Sequence, residues 1–131
     1  MDFLLDTDIC IAVLRGKSSV VKRLQAASPD DCGISAVTAY ELFAGAAKSR
    51  APEKERPKVE RLLHAVRILP FDGAAAAQAG LIRADLERRG TPVGPYDLLI
   101  AAQALAAGLT LVTGNTNEFQ RIAGLRLEAW L

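Results

Sequence analysis

The chain has 131 residues, enough for one domain with its own core. Half of them are apolar and 24% are charged, which excludes a disordered or fibrous polypeptide. Lys and Arg number 16 against 15 Asp and Glu, a net +1, so overall charge neither demands nor forbids a polyanionic partner.

No apolar run approaches the roughly 20 residues that span a bilayer, and no basic stretch precedes an apolar one near Met1. A cytoplasmic location is expected. Cys10 and Cys32 fit neither a CxxC pair nor a Cys/His ligand spacing, so both read as buried free thiols. His64 is the single histidine, lacks a nucleophile or second His nearby in sequence, and reads as structural or surface.

Phe3-Leu4-Leu5 opens the chain as a short strand apolar on both faces, the mark of a parallel sheet. Asp6 stands where that strand ends. Thr7 or Asp8 can cap a helix through Ile9, Ala12 and Val13 to Leu14, stopped by Gly16. A short helix at 19–27 follows, then a turn at 28–31 and a second strand at Cys32–Ser35. Ser35 or Thr38 can cap the next helix, which carries Tyr40, Leu42, Phe43 and Ala46, and Thr38-x-x-Glu41 fits a capping box.

Another helix is expected at 51–65, opened by Pro52 and interrupted or restarted at Pro57. A third strand at 66–71 closes on proline, and Asp72 or Gly73 begins an alanine-rich helix to about Arg89. After a loop at 90–95 comes an almost wholly apolar helix at 96–107, ended by Gly108. A fourth strand at 109–113, a polar turn at 114–117, one helical turn at 118–122 and a last strand at 125–130 complete the order. Strands alternating with helices predict a three-layer α/β/α sandwich around a central, mainly parallel sheet of four to five strands, in one domain over 1–131.

Three acids stand out: Asp6, Glu41 and Asp97. Each has an ordinary explanation. Asp6 can be a helix cap, Glu41 the second half of a capping box, and Asp97 a first-turn acid favoured by the helix dipole. Yet all three fall past a strand end or in a first helical turn, at the carboxyl edge where open α/β sheets bind ligands. Carboxylates converging there raise one another's pKa unless a cation joins them. An all-oxygen donor set suits Mg²⁺ or Mn²⁺ over Zn²⁺, and such a metal points to phosphoryl or phosphodiester chemistry.

Four segments in order resemble the PIN-domain ribonucleases, and most closely the VapC-type toxins of toxin–antitoxin pairs. They are Leu4-Leu5-Asp6-Thr7-Asp8-Ile9, Ser35-x-x-Thr38-x-x-Glu41-Leu42, Tyr96-Asp97-Leu98-Leu99-Ile100-Ala101-Ala102 and Thr113-Gly114-Asn115-Thr116-Asn117-Glu118-Phe119. The resemblance spans nearly the whole chain. It implies that Asp6, Glu41 and Asp97 hold Mg²⁺ or Mn²⁺ and support cleavage of single-stranded RNA sites, leaving a 5′-phosphate and a 3′-hydroxyl. Many PIN domains carry a fourth Asp where this chain has Asn115, whose amide can orient a carboxylate or a water but adds no charge. One tightly held ion is therefore expected. Glu118 can compensate or serve as an exposed acid of a short helix; Asp8 is a cap or an outer partner of the site. Thr7 and Thr113 are candidate hydrogen-bonding supports.

Between 48 and 61, six basic side chains face three acidic ones. Lys48 and Arg50, with Arg15 and Lys17 after the first helix, are candidate phosphate contacts, although helix ion pairs explain such a run as well. Aromatics are few, so base stacking is not expected to dominate. The resemblance further implies a homodimer and a small antitoxin able to place a basic side chain among the acids. Two rivals remain: a decayed PIN-like module that binds RNA or protein, and a haloacid-dehalogenase-like phosphatase with Asp6 as nucleophile.

Overall fold

The computed structural model describes residues 1–131. Leu4 and Leu5 are both fully buried, on opposite faces of β1 (Phe3–Leu5), because this strand takes the centre of the sheet. The other strands are β2 (Cys32–Ser35), β3 (Arg67–Leu69), β4 (Thr110–Val112) and β5 (Leu127–Glu128). They lie in the order β3-β2-β1-β4-β5, and every pairing is parallel. Seven helices connect them: α1 (Thr7–Leu14), α2 (Ser18–Ala26), α3 (Ala36–Lys48), α4 (Pro52–Ala65), α5 (Gly73–Arg89), α6 (Pro95–Ala107) and α7 (Thr116–Phe119). The expected α/β/α sandwich is the observed one.

Alternation along the strands divides the core in two. Leu5, Ile34 and Val112 face a cluster built with Ile9, Leu42 and Leu62 of α1, α3 and α4. Leu4 and Leu111 face the other side, where Ile82, Leu86, Leu98, Ile100 and Phe119 pack. Cys10 and Cys32 are free and buried, and His64 is exposed at the end of α4, as expected. No helix is long and apolar enough to cross a membrane.

Several local expectations are corrected. The cap of α1 is neither Thr7 nor Asp8 but Asp6, whose side chain accepts the Thr7 N–H. Ser35 caps α3 by accepting the Val37 N–H, so Thr38 lies inside the helix and makes no capping box. Pro57 neither breaks nor restarts α4, which runs unbroken to Ala65. Pro57 is exposed, so the carbonyl it leaves without a helical donor can turn to water. The flanking apolar residues of the expected third, fourth and last strands serve packing rather than pairing: Val66 and Leu109 are buried outside β3 and β4.

Candidate active site

β1 and β4 are paired with Leu5 opposite Val112, so the next residues, Asp6 and Thr113, emerge side by side at the carboxyl edge. Asp6 Oδ1 accepts the Thr7 N–H at 2.8 Å, and Oδ2 accepts the Thr113 hydroxyl at 2.8 Å. Thr113 Oγ1 in turn accepts the Asn115 N–H at 3.0 Å, which fixes the direction of its own proton. Burial drives the Asp6 carboxyl up to about 7, with the charge of Asp8 adding to it and a smaller push from Asp97. The bonds from Thr113 and Thr7 pull the other way without prevailing.

Glu41 is brought to Asp6's neighbour. Its Oε1 accepts the Thr7 hydroxyl at 2.7 Å, and Thr7 Oγ1 lies 3.0 Å from Thr38 Oγ1. Thr7 has one proton and the Glu41 carboxylate takes it, so Thr38 is the donor of the second bond. Thr38 is thus a member of the site that sequence reasoning assigned to a cap. Its signal was a hydroxyl one helical turn before Glu41 on the same face.

Asp8, in the first turn of α1, caps nothing. Its Oδ2 accepts the Gly114 N–H at 2.9 Å, while its buried Oδ1 has no partner. A Cβ at Gly114 would run into Leu131 and come within 2.9 Å of Asp8 Oδ2, so glycine lets the loop after β4 close on this acid.

Asp97 sits in the first turn of α6, half-buried, and takes no capping bond there. Burial first, then the charges of Glu118, Glu41 and Asp8, raise it to about 6. Glu118, in α7, is not a free surface acid. Its Oε1 accepts the Gly94 N–H at 2.9 Å, and its Oε2 accepts the Asn115 side-chain amide at 2.5 Å. Asn115 therefore orients Glu118, and Glu118 supplies the charge beside Asp97.

None of the six ion pairs of the molecule involves Asp6, Asp8, Glu41, Asp97 or Glu118. As they stand these acids are electrostatic neighbours rather than a closed chelate, for no three gather tightly enough to hold an ion unaided.

The description of a PIN domain matches residues 3–125. The tRNA(fMet)-specific endonuclease VapC of Shigella flexneri is 43% identical over 130 residues, covering 99% of this chain and 98% of that protein. Two solved structures superimpose over the full chain. DNA-bound VapBC from Salmonella typhimurium has a TM-score of 0.96 at 42% identity and is covered to 99%. VapBC2 from Rickettsia felis, bound to a promoter DNA fragment, has 0.94 at 34% and is covered completely. This chain belongs to the PIN-domain family, among the VapC proteins.

Around this VapC-like edge the expected phosphate contacts divide. Arg15 and Arg50 share with Glu41 a groove of about 370 Å³ between α1, α3 and α4, floored by Leu14 and Leu42. Lys17 and Lys48 are exposed outside it. Farther along, Arg56 pairs with Glu60 and lies 4.9 Å over the Phe43 ring, while Lys58 pairs with Glu55, so part of the basic run is spent within α4. On the other flank of the acids, Tyr40 of α3 and Tyr96 of α6 meet edge to face, with ring centroids 5.6 Å apart. The Tyr96 phenol is raised, chiefly by its bond with Tyr40 and least by the Glu41 charge.

Proposed function

We propose that the protein is a metal-dependent endoribonuclease, the toxin of a toxin–antitoxin pair, cutting a structured RNA at a single-stranded site. The observation that carries this is Asp6: a buried carboxyl, raised to about 7 among further acids, with no basic partner. A site so acidic and so poor in cations is built for a ligand of positive charge. The unpartnered Asp8 Oδ1 and the all-oxygen donor set fit Mg²⁺ or Mn²⁺. Asp6, Glu41 and Asp97 would hold the ion, with Asp8 and Glu118 beside them.

When bound, such an ion supplies Lewis-acid polarisation of the phosphodiester and a water acidic enough to attack it. The chain's own groups do the rest. Thr7 and Thr113 direct the carboxylates of Glu41 and Asp6. Asn115 holds Glu118 against the start of α6. Arg15 and Arg50 are placed to take phosphates leading to the edge, and Lys17 and Lys48 add longer-range attraction.

The name of the Shigella flexneri relative supports a tRNA, and the initiator tRNA first, as the substrate. The VapBC complexes support a small antitoxin partner, for which the groove beside Glu41 offers apolar walls and whose basic side chain would block the acids. A homodimer is the proposed assembly; an apolar hollow of about 500 Å³ between α5 and α6, lined by Ala79, Leu86, Val93 and Leu98, is open to a second copy. The phosphatase alternative falls away with the family assignment, and Glu118 beside Asp97 supports an intact site over a decayed one, the reading that the cleavage assay decides.

The test is cleavage of tRNA by wild type and by Asp6→Asn, Glu41→Gln and Asp97→Asn, in Mn²⁺ or Mg²⁺ and in EDTA. Wild type is expected to cut only with metal, and each variant to lose at least about a hundredfold in rate. A wild type that binds RNA yet never cuts it in metal makes the protein a binding module instead.

A further inference from the structure

The chain has two tyrosines, and the fold brings them together at the acidic edge. They lie 56 residues apart in sequence, and each immediately precedes an acid of the site, Glu41 or Asp97. Their rings meet at 67° and their hydroxyls at 3.2 Å, so each holds the other in place. Tyr40 nevertheless leaves 53% of its surface in water and Tyr96 43%, which is poor use of two large rings if packing were their purpose.

The setting says what they would take. An edge whose acids make no ion pair repels the phosphates of any RNA that approaches it, and the arginines beside it, Arg15 and Arg50, stand in the groove next to Glu41. Attraction from a neutral π-face does not suffer that repulsion, and every nucleobase has such a face. Arg15 and Arg50 lie in the groove on one flank of Glu41, and the tyrosines lie on α3 and α6 on the other.

We infer that Tyr40 and Tyr96 form a stacking seat for an unpaired nucleobase next to the phosphate that is cut. The inference rests on the ribonuclease reading. A strand would then run from the arginines, past the acids, to the rings, and an RNA whose base at that step is locked in a duplex would be excluded.

The test measures binding of a labelled single-stranded RNA in EDTA, where nothing is cut, and steady-state cleavage in Mn²⁺. Tyr40→Ala and Tyr96→Ala are each expected to raise Kd by about 5- to 150-fold, the range of one lost base stack, and to raise KM more than they lower kcat. Tyr40→Phe and Tyr96→Phe should restore most of the binding, because the ring and not the hydroxyl makes the seat. Alanine variants that bind RNA as wild type does overturn the seat, whether or not wild type cuts. So does a loss of binding that tracks a change from dimer to monomer in sedimentation, which would make the rings a subunit contact. A wild type whose RNA binding depends on both rings but which never cuts in metal retains the seat and loses the nuclease.

Discussion

The Thr113 hydroxyl gives its proton to Asp6 Oδ2 and takes the Asn115 N–H. Replacing it by the isosteric Val leaves a buried carboxyl one donor short and an amide unpaired. Thr113→Val should lower stability by about 1–3 kcal/mol, read in denaturant melts. It should also push the Asp6 carboxyl higher, since a bond to the charged form is lost, and move the pH–rate curve to the alkaline side. Residues of this kind were only partly legible in the sequence. Asp6 declared itself as an acid just past a strand end, and Glu41 and Asp97 as acids in apolar company near the starts of helices. Thr38 did not, because Thr-x-x-Glu fits a capping box equally well, and only the packing of α1 on α3 tells the two apart. Tyr40 was equally hidden, and Glu118 was legible only as one of two roles: what defines them is a partner 56 or 24 residues away, which no local pattern encodes.

Capping shows what an element contributes apart from chemistry. Asp6 caps α1 and Asp72 caps α5 by the same device, a carboxylate accepting an orphan N–H. Asp72 follows β3, two strands away from β1 in the sheet, and its side-chain bond is to Ala75 and to none of the acids. Asp72→Ala should therefore cost about 0.5–2 kcal/mol of stability with RNA cleavage retained, whereas Asp6→Asn keeps a cap and loses cleavage. Measuring both melts and rates on the two variants separates the roles. The order of elements was readable throughout, because apolar strands, Gly16 and Gly108 punctuate the chain. Strand ends were not, since pairing stops where the neighbour stops: Leu109 and Leu125 are apolar because they pack, not because they lie in a strand.

For the molecule as a whole, the raised acids set how stability follows pH. An unfolded Asp titrates near 3.9, roughly, while Asp6 holds its proton to about 7 and Asp97 to about 6. Between those values the folded chain binds protons that the unfolded chain has released, so stability falls as pH rises from about 4 to about 7 and then levels. Metal-free protein should melt at a lower temperature at pH 8 than at pH 5, and Asp6→Asn should flatten the slope. Mn²⁺ added at pH 8 should raise the melting temperature of wild type by mass action and leave Asp6→Asn little changed. A wild-type melting temperature that is level from pH 5 to 8 would count against the buried charge at Asp6.

The bond from Thr113 to Asp6 joins residues 107 positions apart, and β1 cannot take its central place until β4 pairs beside it. A chain still emerging from the ribosome thus carries Asp6 for most of its synthesis with only the neighbouring Thr7 N–H to hold it. The acidic edge is assembled only once β4 and Thr113 have been made and have paired beside β1, so on the nuclease reading shorter nascent chains are expected to cut nothing.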